Sequence, residues 1–171
     1  MLLKLRDRNP SGIHLDRWTQ TPGSDSFVLS LLNTTGLRRD RGGIVPVESH
    51  EIEYRFARFF PAVPVEAWLK QAILHPNVDE ATGFVCLWGE HSPGTSIIEA
   101  TRLLQSMISF AVWNSESPHV MQLDALAWIE TQTTYTLPLP TVHLIDPIQH
   151  FSPDRCRAKA RASRKRLFDV D

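Results

Sequence analysis

Cysteine is scarce in this chain, with two among 171 residues, Cys86 and Cys156. That excludes a disulfide framework and a cysteine-rich zinc site, and it makes a reducing cytoplasm the default setting. No apolar run approaches the ~20 residues of a membrane span. The opening Met1-Leu2-Leu3-Lys4-Leu5-Arg6 reads as too short and too charged for a signal peptide. Internal repeats and low-complexity tracts are missing. Net charge is also nearly absent, at −1, but it is unevenly placed. From Ser152 to Asp171 seven Lys/Arg face three Asp, whereas the remainder holds eleven Lys/Arg against sixteen Asp/Glu. The mildly acidic body has no basic surface with interleaved aromatics to match that tail. Nucleic-acid binding is therefore auxiliary at most, and a solvated helix face accounts for the charge as well.

An apolar content of 42% and a charged content of 22% are those of a globular protein with a real core. The sequence divides into one domain over residues 1–151 and a basic helix or tail over 152–171. Met1 to Arg8 predicts a turn or two of helix, stopped by Asn9-Pro10-Ser11-Gly12. Ile13 to Gln20 alternates loosely as a strand, and Ser26 to Asn33 is a mostly apolar one. Thr34 to Gly43 reads as a polar loop with three arginines. In Glu51 to Phe60, Ile52, Tyr54 and Phe56 alternate with charge, as in a half-buried antiparallel strand. Val65 to Leu69 is a further short strand. Ser96 with Glu99 forms a capping box that opens a helix over Ile97 to Trp113. Its Ile97, Ala100, Leu104 and Ala111 share a face. Met121 to Thr131 predicts a second helix, with Leu123, Leu126, Ala127 and Trp128 apolar. Thr136 to Pro147 reads as extended, and Ser152-Pro153-Asp154 as the start of a basic helix reaching about Leu167. Strands first and helices after, without alternation, predict an α+β fold: an antiparallel sheet of about four strands with helices on one side.

The chemistry concentrates between His75 and Pro93. His75-Pro76-Asn77 is a polar turn, Val78 to Gly83 an acidic loop, and Val85-Cys86-Leu87 a short apolar run with a thiol at its edge. A thiol suits acyl carriage: a few per cent is thiolate at neutral pH when its pKa is near ~8.5, and thioesters react readily with amines. A buried structural cysteine is the plain alternative for Cys86. Asparagine often orders its own turn, so Asn77 has a plain reading too. His75, Cys86 and His91 match no common zinc spacing, and no metal or other cofactor is expected.

The combination His75-Pro76-Asn77-Val78, Gly83, Val85-Cys86-Leu87 and Ser92-Pro93 resembles the active-site segment of ubiquitin-conjugating enzymes. Phe60-Pro61-Ala62-Val63-Pro64-Val65 is similar to that family's approach to the site, and Arg8-Asn9-Pro10-Ser11-Gly12-Ile13 is a fainter echo of its opening. The resemblance implies a ubiquitin-conjugating-enzyme-like fold. It also implies an enzyme that carries a ubiquitin-like protein as a thioester on Cys86 and transfers it to an amine of a protein substrate, after loading by an activating (adenylating) enzyme. Asn77 would stabilise the oxyanion, His75 and Pro76 would support the turn, and Ser117 would line the entrance for the attacking lysine. An ordinary Ser-Pro turn accounts for Ser117 equally well.

The chain departs from the family pattern in its short first helix, the trimmed loop after Cys86, Ala62 in place of an exposed aromatic, and its last third. These departures point to a divergent, bacterial-type member, of the kind found in antiphage defence. Two competing readings are a non-catalytic binding module on the same fold, against which the cysteine argues, and an unrelated cysteine hydrolase using Cys86 with His75 or His91.

Overall fold

Backbone hydrogen bonding joins the five described strands of this chain into a single antiparallel meander. The structure is a computed structural model and describes residues 2–21, 24–88 and 93–144. The expected basic helix from Ser152, together with His91 and Ser92, lies outside the described residues. The order is α1 (Leu2–Arg8), β1 (Ile13–Thr21), β2 (Ser24–Asp40), β3 (Gly43–Ala57), β4 (Glu66–Leu69), β5 (Phe84–Val85), α2 (Ile97–Ile108) and α3 (Leu123–Thr131). The strands lie side by side in sequence order, every neighbouring pair antiparallel. The fold is α+β, with five strands where about four were expected.

Period-two alternation fixes the buried face. Phe27, Leu29 and Leu31 of β2, Ile52 and Tyr54 of β3, and Ala67 and Leu69 of β4 meet Ile98, Ala100, Leu104 and Ile108 of α2 in one core. The capping box that opens α2 is made in full: Glu99 N donates to Ser96 Oγ at 3.3 Å, and Ser96 N donates to Glu99 Oε2 at 2.7 Å. Such a cap is worth about 1 kcal/mol.

Three local expectations are corrected. Residues 34–40 are not a polar loop; they continue β2, pair with β3 from Gly36↔Val47 to Asp40↔Gly43, and turn through Arg41-Gly42. Tertiary packing overrides their polarity. Leu37 is fully buried in a second cluster with Leu74, Phe110, Ala125 and Leu139, which Ile44, Trp128 and Tyr135 flank. Helix α2 stops at Ile108 rather than Trp113, because Phe110 takes a left-handed conformation (φ 57°) that accompanies its burial in that second cluster. The strain of about 1–3 kcal/mol is offset by burial of a large aromatic, worth about 1.5–3 kcal/mol. Helix α3 begins at Leu123 rather than Met121, since Gln122 keeps an extended backbone (φ −119°, ψ 94°) as its N-cap, while the N–H groups of Met121 and Gln122 bind Pro76 O. In this helix Leu123 is 75% exposed, and Ala125 is the buried residue.

Candidate functional site

The turn that carries His75, Pro76 and Asn77 is fully enclosed. Its polar groups therefore need internal partners. His75 Nδ1 accepts from Asn77 N at 3.2 Å, and the ring lies 5.0 Å from that of Phe110. Desolvation pushes the His75 imidazole down to about 3, so it is neutral at physiological pH. Pro76 O accepts two N–H groups, from Met121 at 2.7 Å and Gln122 at 3.1 Å. The Gln122 amide reaches back to Ile73 O at 2.9 Å and Val78 O at 2.8 Å.

Asn77 is the centre of this bracing. Its Nδ2 donates to Asn114 O at 2.7 Å and His119 O at 3.0 Å, while Oδ1 accepts from Asn114 N at 2.8 Å. Both amide hydrogens are thus in use, and the side chain ties the turn to the segment from Asn114 to His119. Its own carbonyl accepts from Cys86 N at 2.8 Å. One residue therefore grips the cysteine through its backbone and a facing loop through its side chain.

Cys86 follows directly on β5. A bridge between Val78 and Val85 brings the strand alongside the turn. Gly83 makes the fold-back possible: its φ is +76°, and a Cβ there would sit 2.0 Å from Leu69 O. The thiol is half-buried, and desolvation raises its pKa. Its Sγ lies 3.3 Å from His119 Nδ1. The site is a thiol and an imidazole in contact, delivered by two loops that Asn77 and Gln122 hold together.

Of the residues picked out from sequence, the structure joins Cys86, Asn77, Pro76 and His75 in one braced unit. Ser117 is exposed in the facing segment, two residues before His119. His75 packs on Phe110 and its Nδ1 faces the Asn77 amide; the imidazole that meets the thiol is His119. Sequence reasoning passed over His119. It lies 33 residues from Cys86, and its only signal is the short Ser-Pro-His run after the first long helix. Among the described residues no group of three or more His, Cys, Asp or Glu could hold a metal ion, and no helix is long and apolar enough to cross a membrane.

The fold and site together define an α+β protein with a loop-borne thiol next to an imidazole. No family model matches the chain, and no curated protein matches it. Among solved structures it is similar to the crystal structure of ubiquitin conjugating enzyme E2 UbcA1 from Agrocybe aegerita, with 21% identity and a TM-score of 0.45. That match covers 78% of this chain and 93% of the other.

Proposed function

We propose that the chain is a conjugating-type acyl transferase that carries a ubiquitin-like protein as a thioester on Cys86. An activating enzyme supplies the modifier's C-terminal acyl group, the Cys86 thiolate displaces the activating enzyme's thiol, and an amine of a protein substrate then displaces Cys86. The observation that carries this reading is Cys86 N bound to Asn77 O within the braced His75-Pro76-Asn77 turn. It leaves Sγ half-exposed on a fixed backbone, as an acyl carrier needs. The residue pattern of that turn and of Val85-Cys86-Leu87 supports the same assignment. Asn77 serves here as a positioning residue, since its amide hydrogens are already donated. The bacterial defence setting belongs to the same proposal, and neighbouring genes for an adenylating enzyme and a ubiquitin-like protein would support it.

The test is ATP-dependent charging with the cognate activating enzyme and modifier. Wild-type protein should form a conjugate that reductant removes, and Cys86→Ala should form none. The same reducible conjugate on Cys86→Ala would move the carrier role to Cys156 and overturn the assignment. The contact between Sγ and His119 Nδ1 also favours a second reading, a thiol hydrolase. That reading requires turnover of a small ester by wild-type protein without any modifier.

A further inference from the structure

We infer that His119 is the general base of acyl discharge from Cys86, and that it opens the thioester to hydroxyl acceptors as well as amines. The inference rests on the thioester-carrier reading and adds a residue and an acceptor class to it. His119 Nδ1 lies 3.3 Å from Sγ, so it borders the carbon that a thioester would place on that sulfur. The imidazole is half-buried, and its backbone is fixed from both sides. His119 O accepts from Asn77 Nδ2 at 3.0 Å, and His119 N donates to Glu116 O at 2.8 Å. The side chain's partner is therefore the reacting atom itself, while the backbone does the structural work. Glu116 meets His119 through its carbonyl oxygen, and among the described residues no carboxylate hydrogen-bonds to Cys86 or to the His119 ring.

The chemistry of the acceptor decides what such a base adds. A neutral amine attacks a thioester carbonyl first and loses its proton afterwards. An alcohol is too weak a nucleophile unless its proton is removed as it attacks. At this site the hydroxyl oxygen bonds to the carbonyl carbon while Nδ1 takes the hydroxyl proton. The tetrahedral intermediate collapses, the carbon–sulfur bond breaks, and the sulfur leaves as thiolate. The imidazolium returns the proton to Sγ. One ester forms, one thioester is lost, and both residues end as they began.

The test uses the full chain, with Cys86 acylated by exchange with benzoylglycyl ethanethiol thioester and followed by intact mass. Discharge is measured with glycerol as the hydroxyl acceptor and glycinamide as the amine. His119→Asn keeps a polar side chain beside Sγ without a basic nitrogen and leaves the backbone bonds available; circular dichroism verifies its fold. Glycerol discharge should fall by about 10²-fold or more in His119→Asn relative to the wild type. Glycinamide discharge should fall by a clearly smaller factor than glycerol discharge in the variant, because a neutral amine attacks before it loses its proton. Equal glycerol rates in the two proteins, or an equal loss with both acceptors, would overturn the proposal, as would a wild type that neither takes up the acyl group nor releases ethanethiol. The carrier reading fails separately. Absence of ATP-dependent charging with intact, His119-dependent chemical discharge removes the conjugating function and leaves the base in place. Normal charging of both proteins with unchanged discharge removes only His119.

Discussion

Replacing Asn77 with alanine deletes three hydrogen bonds from a fully buried side chain, at 2.7, 2.8 and 3.0 Å. At a net 0.5–1.5 kcal/mol each, their loss amounts to about 1.5–4.5 kcal/mol. The stranded partners are backbone groups of Asn114 and His119, which lie in a partly exposed segment that water can re-enter, so about 3 kcal/mol is the expected cost. With a urea slope of about 2–3 kcal/mol/M, the unfolding midpoint should fall by roughly 1–1.5 M. Asn77→Asp should not rescue it. It keeps an acceptor for Asn114 N but turns a carboxylate toward two carbonyl oxygens, and its stability should improve on acidification. Alkylation of Cys86 by iodoacetamide, followed on the folded variant, reports the second consequence: release of the segment that holds His119 against Sγ. A midpoint shift below about 0.3 M would refute the bracing role, because it would imply less than one net hydrogen bond. A discharge rate lowered by about 10²–10³ at unchanged stability would instead assign Asn77 directly to the oxyanion.

Two further outcomes follow from the same loops. Acidification should destabilise the protein through His75 and His50, both buried and both held below the usual imidazole value, mainly by desolvation. The unfolded chain takes up their protons near pH ~6.5 and the folded one resists them, so stability is full above that pH and falls below it; for His75 the loss continues toward about 3, at up to about 1.4 kcal/mol per pH unit. His75→Leu should reduce that slope in denaturant titrations between pH 6.5 and 4, and an unchanged slope would contradict the assignment. Gly83→Ala should lower the thermal midpoint by about 5 °C or more through left-handed strain and the clash with Leu69 O, and a shift within about one degree would show that the loop absorbs the methyl.

Those elements that announce themselves by local rules were legible in the sequence. The Ser96–Glu99 box marked the start of α2, and the alternation of Ile52, Tyr54 and Phe56 marked β3. Proline and glycine punctuation marked the loop that bears Cys86. What stayed hidden depends on contacts between distant residues. Arg38, Arg39 and Arg41 made 34–43 look solvated, yet Leu37 and Ile44 draw both flanks into a hairpin under Trp128 and Tyr135. The end of α2 depended on the Phe110 ring finding His75 and Leu74, which no helical periodicity reveals. His119 stayed hidden for the same reason: its contact with Sγ forms where Asn77, 42 residues earlier, holds its carbonyl. Sequence spacing singled out Cys86 because its motif is contiguous, and it passed over His119 because its context is not.

The two-loop construction also sets when the site comes into being. Every strand of the sheet pairs with its neighbour in sequence, so the meander can assemble from successive hairpins with low-cost loop closures. The contact between Cys86 and His119 requires more: residues 114–122 must dock onto the finished turn, where Pro76 O, Asn77, Ile73 O and Val78 O receive them. A nascent chain with its sheet complete but this segment still loose has a thiol without its imidazole. The thiol–imidazole pair is in this sense a late product of folding, acquired only as that segment locks.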